Sequence, residues 1–273
     1  MKIVVAGGTG LLGQAICRAA VQKGLQVHAV SRHGKTKGLE DAWANHVSWH
    51  SIDVQNDTKA LTPLLKDSSC LVNTIGILME NNYKKILKKP FSAGIRALKN
   101  FPSFLPSKDN NNPLKNEKTT KSPAQKGSLF KAINENLAVK LGALASQNNV
   151  PTYCYISTHG YFPGIDPEYV NSKRRAEQRI QSIPNLRSIF LRPSFMYDRH
   201  ARPISEPISL LFKMTSGLKD AVFGPKAGVD NALVAPPLPT ASVGAAIVEA
   251  ICDPSVHGVV SVNDILRLAE KAT

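Results

Sequence analysis

The sequence predicts an α/β fold, a Rossmann-type doubly wound parallel sheet with a small irregular C-terminal lobe. Three observations carry this. Short Val- and Ile-rich runs alternate with longer helical patterns, the rhythm of a parallel sheet with helices on both faces. The first run opens directly into a glycine turn and a helix. The runs are apolar throughout rather than alternating, as strands buried on both faces are.

The elements follow in order. "KIVVA" (2–6) is a short buried strand. "GGTGLLGQAICRAAVQKG" is a turn opening a helix, with Gly24 as its stop. "LQVHAVSR", "VSWHSIDV", "CLVNTIGIL", "TYCYIST" and "RSIFLRP" are strands two to six. "DTKALTPLLKD", "FKAINENLAVKLGALASQNN" and "NSKRRAEQRIQSI" carry helical spacing between them. After Pro193 the chain is Pro-rich, then offers the helix "ASVGAAIVEAICD" and a last helix near 263–271. The expected organisation is one dinucleotide-binding domain over 1–273, with a basic insertion at 84–128 and a substrate-side lobe at 194–273.

Composition narrows the function classes. An apolar fraction of 42% is that of a globular protein. No run of 18 apolar residues occurs, which argues against a membrane span. The start, "MKIVVAGGTG", reads as a strand and has neither the h-region of a secretory signal nor the look of an Arg-rich transit peptide. Cys17, Cys70, Cys154 and Cys252 are scattered, without metal-type spacing, and read as reduced packing residues. His46 and His50 sit in a strand-like run, so no metal site is expected.

The net charge of +14 is concentrated in one place. Residues 84–131 hold twelve Lys or Arg against Asp109 and Glu117, so ten of the fourteen net charges belong to that stretch. Within 84–101 apolar positions such as Ile86, Leu87, Phe91, Ile95 and Leu98 share helical faces opposite lysines and Arg96. Such a helix either packs on the domain or lies on an anionic membrane surface. Few aromatics interleave the lysines, so nucleic acid is not the expected partner.

Gly7, Gly10 and Gly13 stand between the first strand and first helix, where glycines let backbone amides approach a pyrophosphate at the helix N-terminus. Thr9, Leu11 and Leu12 complete that turn. The second strand ends in Ser31 and Arg32 instead of an acid. Arg can pair with a 2′-phosphate, so NADP is favoured over NAD. Asp53, with Val54 after it, can accept from an adenine amino group or cap the following turn. Thr74 and Gly76, small residues ending the fourth strand, leave room for a cofactor.

Ser157 closes the fifth strand, Tyr169 follows twelve residues later, and Lys173 lies one helical turn beyond. Asn134 sits in the preceding helix. Carbonyl reduction uses these types: Tyr169 as acid/base, Lys173 as a charge lowering its pKa and as a ribose ligand, Ser157 as polariser, and Asn134 as a water anchor. Thr158, adjacent to Ser157, leaves open which hydroxyl faces the substrate.

These residues, with Pro193 in "LRPSFMYD", resemble an extended or atypical short-chain dehydrogenase/reductase over residues 1 to about 200. "GILMENNYKKIL", "YVNSKRRAE", "RPSFMYD" and "HGVVSVNDIL" are similar to the branch holding the 39-kDa-type accessory subunit of complex I. More closely, they resemble fungal mitochondrial proteins of this type that associate with the coenzyme Q (ubiquinone) biosynthetic complex. The resemblance implies a location on the matrix face of the inner mitochondrial membrane and partners in that complex. It also implies either hydride transfer on a lipophilic quinone precursor or a non-catalytic, dinucleotide-binding regulatory role.

Overall fold

The computed structural model describes residues 1–77, 129–161, 166–198 and 235–272. Seven parallel strands form its centre: β1 (Lys2–Ala6), β2 (Gln26–Ser31), β3 (Val47–Ser51), β4 (Cys70–Asn73), β5 (Thr152–Ile156), β6 (Arg187–Leu191) and β9 (Gly258–Val260). Their order is β3-β2-β1-β4-β5-β6-β9. The direction of winding reverses between β1 and β4, the place where such sheets open a crevice at their carboxyl ends. Two short strands outside this sheet, β7 (Met196–Tyr197) and β8 (Leu238–Pro239), pair in parallel.

Each sheet face carries its own core. One packs Ile3, Val5, Val72, Cys154 and Ile189 beneath α1 (Leu11–Gln22), α5 (Thr240–Cys252) and α6 (Val262–Lys271). The α1–α5 crossing is close because Gly244 lies on Ala15; a Cβ there would come within 2.7 Å of the Ala15 carbonyl carbon. The other face packs Val4, Leu71, Tyr153, Tyr155 and Phe190 beneath α3 (Ala138–Gln147) and α4 (Pro167–Gln181), with the one-turn α2 (Thr62–Leu65) nearby.

Before α3 the chain makes a π-helical stretch, Lys131–Leu137, where the sequence pattern reads as ordinary helix. Tyr155 donates to the Asn134 carbonyl (2.6 Å) and Tyr153 to the Ala138 carbonyl (2.8 Å). A tyrosine pair at i, i+2 on β5 thus reaches carbonyls at i, i+4 of the facing helical segment.

Of the lobe expected at 194–273, residues 199–234 lie outside the described residues. Residues 240–272 instead complete the central domain, because β9 joins the main sheet beside β6 and α5 packs on α1. Ser261 and Asp264 form a reciprocal capping box that starts α6 directly after β9. The 84–128 insertion lies outside the described residues. Among the described residues no helix is long and apolar enough to cross a membrane.

Candidate functional site

Of the candidate site residues, Gly7, Thr9, Gly10, Ser31, Arg32, Asp53, Val54, Thr74, Gly76, Ser157 and Pro193 lie at or just beyond the carboxyl end of a central strand, while Leu11, Leu12 and Gly13 open α1. Gly7 follows β1 with φ +88°. Its amide and that of Gly8 donate to the Val30 carbonyl (2.9 and 3.1 Å), tying the turn to β2. Gly10 precedes α1 without a side-chain cap, and its amide donates to the Gly7 carbonyl (2.9 Å). A Cβ on Gly13 would collide with the Gly7 carbonyl oxygen, and one on Gly7 with Thr74 Oγ1. Thr74 Oγ1 donates to Ala6 O (2.9 Å), and Gln14 Nε2 donates to Thr9 O (3.0 Å). The first-turn amides of Leu11, Leu12 and Gly13 thus stand at the positive end of α1 with no capping side chain, a cradle that suits an anionic diphosphate.

At the end of β2, Ser31 Oγ donates to Gly34 O (2.7 Å), closing a turn that leaves Arg32 exposed. The Arg32 guanidinium forms no ion pair with another described residue. Asp53 closes its own turn: Oδ1 accepts from the Gln55 amide (3.1 Å) and Oδ2 from Asn56 Nδ2 (2.9 Å). The local-cap reading of Asp53 therefore describes its contacts here, although a carboxylate keeps further lone pairs for a ligand. Val54 is buried beside it. Gly76 touches the opposite side of the site; a Cβ there would lie 3.2 Å from Asn134 Oδ1 and 3.3 Å from Lys173 Nζ. Pro193 accepts the His159 amide (2.9 Å).

The second half of the site is α4. Asp166 caps it by accepting from the Glu168 amide (2.9 Å), Pro167 pre-sets its first turn, and Tyr169 and Lys173 follow on one face. Lys173 is buried; its Nζ donates to the Ile156 carbonyl (2.7 Å) and lies 5.0 Å above the Tyr155 ring and 5.6 Å from the Tyr169 ring centre. Phe130 meets the Tyr169 ring edge-on.

The structure gives partners to the other residues of the expected reacting set. Ser157 does not face Tyr169. It is buried, its Oγ accepts from Arg174 Nη1 (3.0 Å), and the hydroxyl bonded to Tyr169 is that of Thr158. Pleating explains this, since successive residues at a strand end point to opposite sides. Asn134 is tied into the chain at both polar atoms of its side chain and at its backbone carbonyl. Its Oδ1 accepts from the Ile77 amide (2.9 Å), its Nδ2 donates to Ile77 O (3.1 Å), and its carbonyl is taken by Tyr155. Burial shifts Lys173 and Tyr169 in opposite directions. Burial pushes Lys173 down to about 7, with Glu177 opposing and Arg174 assisting. Burial pushes Tyr169 up to about 12, and the lowering influences on it are Thr158 and Arg174.

The sequence reading missed the ion cluster behind this pair. Glu177 is buried between Arg174 (Nη1 to Oε1, 2.9 Å) and Arg192 (Nε to Oε1, 3.1 Å). A Glu four residues after Lys173 and the Arg of "LRP" were the available signals. Glu135 is likewise held by Arg175 and Arg179 (2.8 and 3.0 Å). Burial would raise its carboxyl, but those hydrogen bonds outweigh it and hold it below the usual range. Among the described residues no cluster of His, Cys, Asp or Glu could hold a metal ion.

Residues 3–78 match the NAD dependent epimerase/dehydratase family. Over 290 aligned residues the chain is 30% identical to MIOREX complex component 2 of Saccharomyces cerevisiae, covering 97% of this chain and 99% of the yeast protein. The chain belongs to the same family as that yeast protein, and its fold fits an extended short-chain dehydrogenase/reductase. An uncharacterized chloroplastic protein of Arabidopsis thaliana is 26% identical, covering 99% of this chain and 78% of its own. Among solved structures, UDP-glucuronic acid 4-epimerase from Bacillus cereus, in complex with NAD, superposes with a TM-score of 0.57 at 15% identity, covering 99% of this chain and 82% of the epimerase. A short-chain dehydrogenase/reductase superfamily protein from Agrobacterium tumefaciens, with bound NAD, gives 0.55 at 14% identity, covering 95% and 76%. At that identity the two structures establish the shared fold of the reductase family.

Proposed function

We propose that the protein is an NADP(H)-dependent oxidoreductase acting on a lipophilic quinone precursor in mitochondrial ubiquinone biosynthesis. One observation carries the chemistry: Tyr169, hydrogen-bonded to Thr158, shares a helix face with buried Lys173 across from the uncapped amides of α1. The glycine cradle fits a dinucleotide diphosphate because the tight turn, which added Cβ atoms would break, leads into a helix start with no capping side chain. The bound nicotinamide would supply or accept hydride. Leu11, Leu12 and Gly13 would hold the diphosphate through their amides, and Thr74 and Gly76 would border the cofactor. Tyr169 would donate the proton to the substrate oxygen, Thr158 would orient that oxygen, and Lys173 would bind the ribose. Arg32 supports NADP over NAD, being an exposed cation with no acid beside it at the end of β2. Location at the matrix face of the inner membrane, contact of 84–101 with anionic lipid, and partners in the ubiquinone biosynthetic complex rest on the sequence resemblance. The yeast relative's name, a complex component, agrees with an assembly role.

Titration with NADPH and NADH, followed by nicotinamide fluorescence, tests this reading in wild type and Arg32→Glu. Preferential NADPH binding that Arg32→Glu abolishes supports it; binding of neither nucleotide sinks it. One observation favours a second reading, a non-catalytic dinucleotide-binding regulator. Burial pushes the Tyr169 phenol up to about 12, away from balance at neutral pH. Tyr169→Phe that binds NADPH and still restores ubiquinone in cells lacking the protein would favour the regulator.

A further inference from the structure

One guanidinium binds three consecutive residues of the loop after β5. Arg174 Nη1 donates to Ser157 Oγ (3.0 Å), while Nη2 donates to the Thr158 carbonyl (2.7 Å) and the His159 carbonyl (2.8 Å). Nη1 also meets Glu177, which Arg192 beyond β6 holds from the far side. A chain of charge-assisted bonds therefore runs from β6 through α4 to the strand end that presents Thr158. We propose that Arg174 is the positioning residue of this site, holding Ser157–His159 in the arrangement that turns Ser157 inward and leaves the Thr158 hydroxyl to Tyr169. The proposal deepens the reading of Tyr169 and Lys173 as the reacting pair.

The planar fork is what the task requires. Its donors have fixed directions and reach a hydroxyl, two carbonyls and a carboxylate at once, which an ammonium cannot do. The neighbouring Arg175 is the internal control. It is the same residue type one position on, yet it turns away to Glu168 and Glu135 and makes no hydrogen bond to Ser157–His159. Its side chain is 40% exposed, against 26% for Arg174.

The same placement gives Arg174 an electrostatic role. The groups facing Lys173 are Tyr155 from β5, Tyr169, Arg174 and Glu177 from α4, and the neutral amide of Asn134 from the π-helical stretch. Arg174 disfavours the lysine cation and Glu177 favours it. Removing each charge must therefore move the Lys173 midpoint in opposite directions, which a general loosening of the fold would not do.

The test uses the full chain without cofactor or substrate. Amide hydrogen exchange reports the loop, and carbon NMR of labelled lysine reports the Lys173 midpoint. Arg174→Gln is expected to speed exchange at residues 157–160 at least about tenfold while β5 stays protected. It should also raise the Lys173 midpoint by about one pH unit. Arg174→Lys should lose the loop protection but keep the midpoint, and Glu177→Gln should lower the midpoint. Arg175→Gln should change neither. Wild-type loop protection in Arg174→Lys overturns the proposal, and this arm stands even where Arg174→Gln fails to fold. A midpoint moving the same way in Arg174→Gln and Glu177→Gln overturns it too. Both readouts survive a failure of the NADPH titration, so the oxidoreductase reading and the role of Arg174 fail separately.

Discussion

The glycine turn after β1 and the Tyr169–Lys173 face of α4 border the same edge of one sheet, yet they are built from opposite materials. The turn uses backbone amides, a positive-φ glycine and the absence of side chains, with no charged group of its own. The α4 side uses buried charge, with Lys173 and Glu177 almost fully covered and two arginines arranged around the carboxylate. A group meant to approach an anion closely needs space and partial charges already fixed by the helix. A group meant to move a proton must sit where its two protonation states are near balance, and burial achieves that only when neighbouring charges are paired.

The contrast can be broken most forcefully at Glu177. Glu177→Ala leaves Arg174 and Arg192 unpaired and is expected to cost about 3 kcal/mol in chemical denaturation. Gly13→Ala should cost less, about 2 kcal/mol, because one methyl meets backbone. It should nevertheless abolish NADPH binding, whereas Glu177→Ala should retain much of it. Equal losses of binding in the two variants would erase the distinction.

Proton linkage sharpens the comparison. Lys173 is depressed in the fold, so above its folded midpoint the unfolded chain binds more protons and stability rises with pH. The rise should show between pH 7 and about 8.5, below the range where the buried thiols begin to matter. Lys173→Met should flatten it. A second pair acts in acid. His28 Nδ1 and His50 Nε2 share a hydrogen bond at 3.0 Å on β2 and β3, and burial and Lys2 lower both rings. Stability should therefore fall as pH drops below 6.5, and His50→Gln should weaken that fall. The smallest effect belongs to Ser188, whose buried Oγ has no hydrogen-bond partner. Ser188→Ala should change stability by less than about 1 kcal/mol, toward greater stability.

Much of this was legible in the sequence because it is local. The glycine turn needs only a strand, three glycines and a helix. Tyr169 and Lys173 need only helical spacing, and the apolar runs mark β1 to β6. What was not legible depends on distant partners. β9 is three residues long and begins with a glycine at φ +70°, too short for any periodicity to show. The choice between Ser157 and Thr158 is decided by Arg174 across the site. The π-helical stretch leaves no mark on residue type; its evidence is the pair of tyrosine hydroxyls from β5. Asp53 offered two readings, and only the contacts with Gln55 and Asn56 show which one its side chain follows.

The double hydrogen bond between Asn134 and Ile77 has a consequence for how this chain can vary. Ile77 is where the chain leaves the sheet after β4, and Asn134 is five residues beyond the point where the described structure resumes. Both ends of the excursion are thus stapled to each other by a side-chain amide using its acceptor and its donor. A substitution of Asn134 would therefore loosen the end of β4 and the π-helical stretch together, two segments 57 residues apart in the chain.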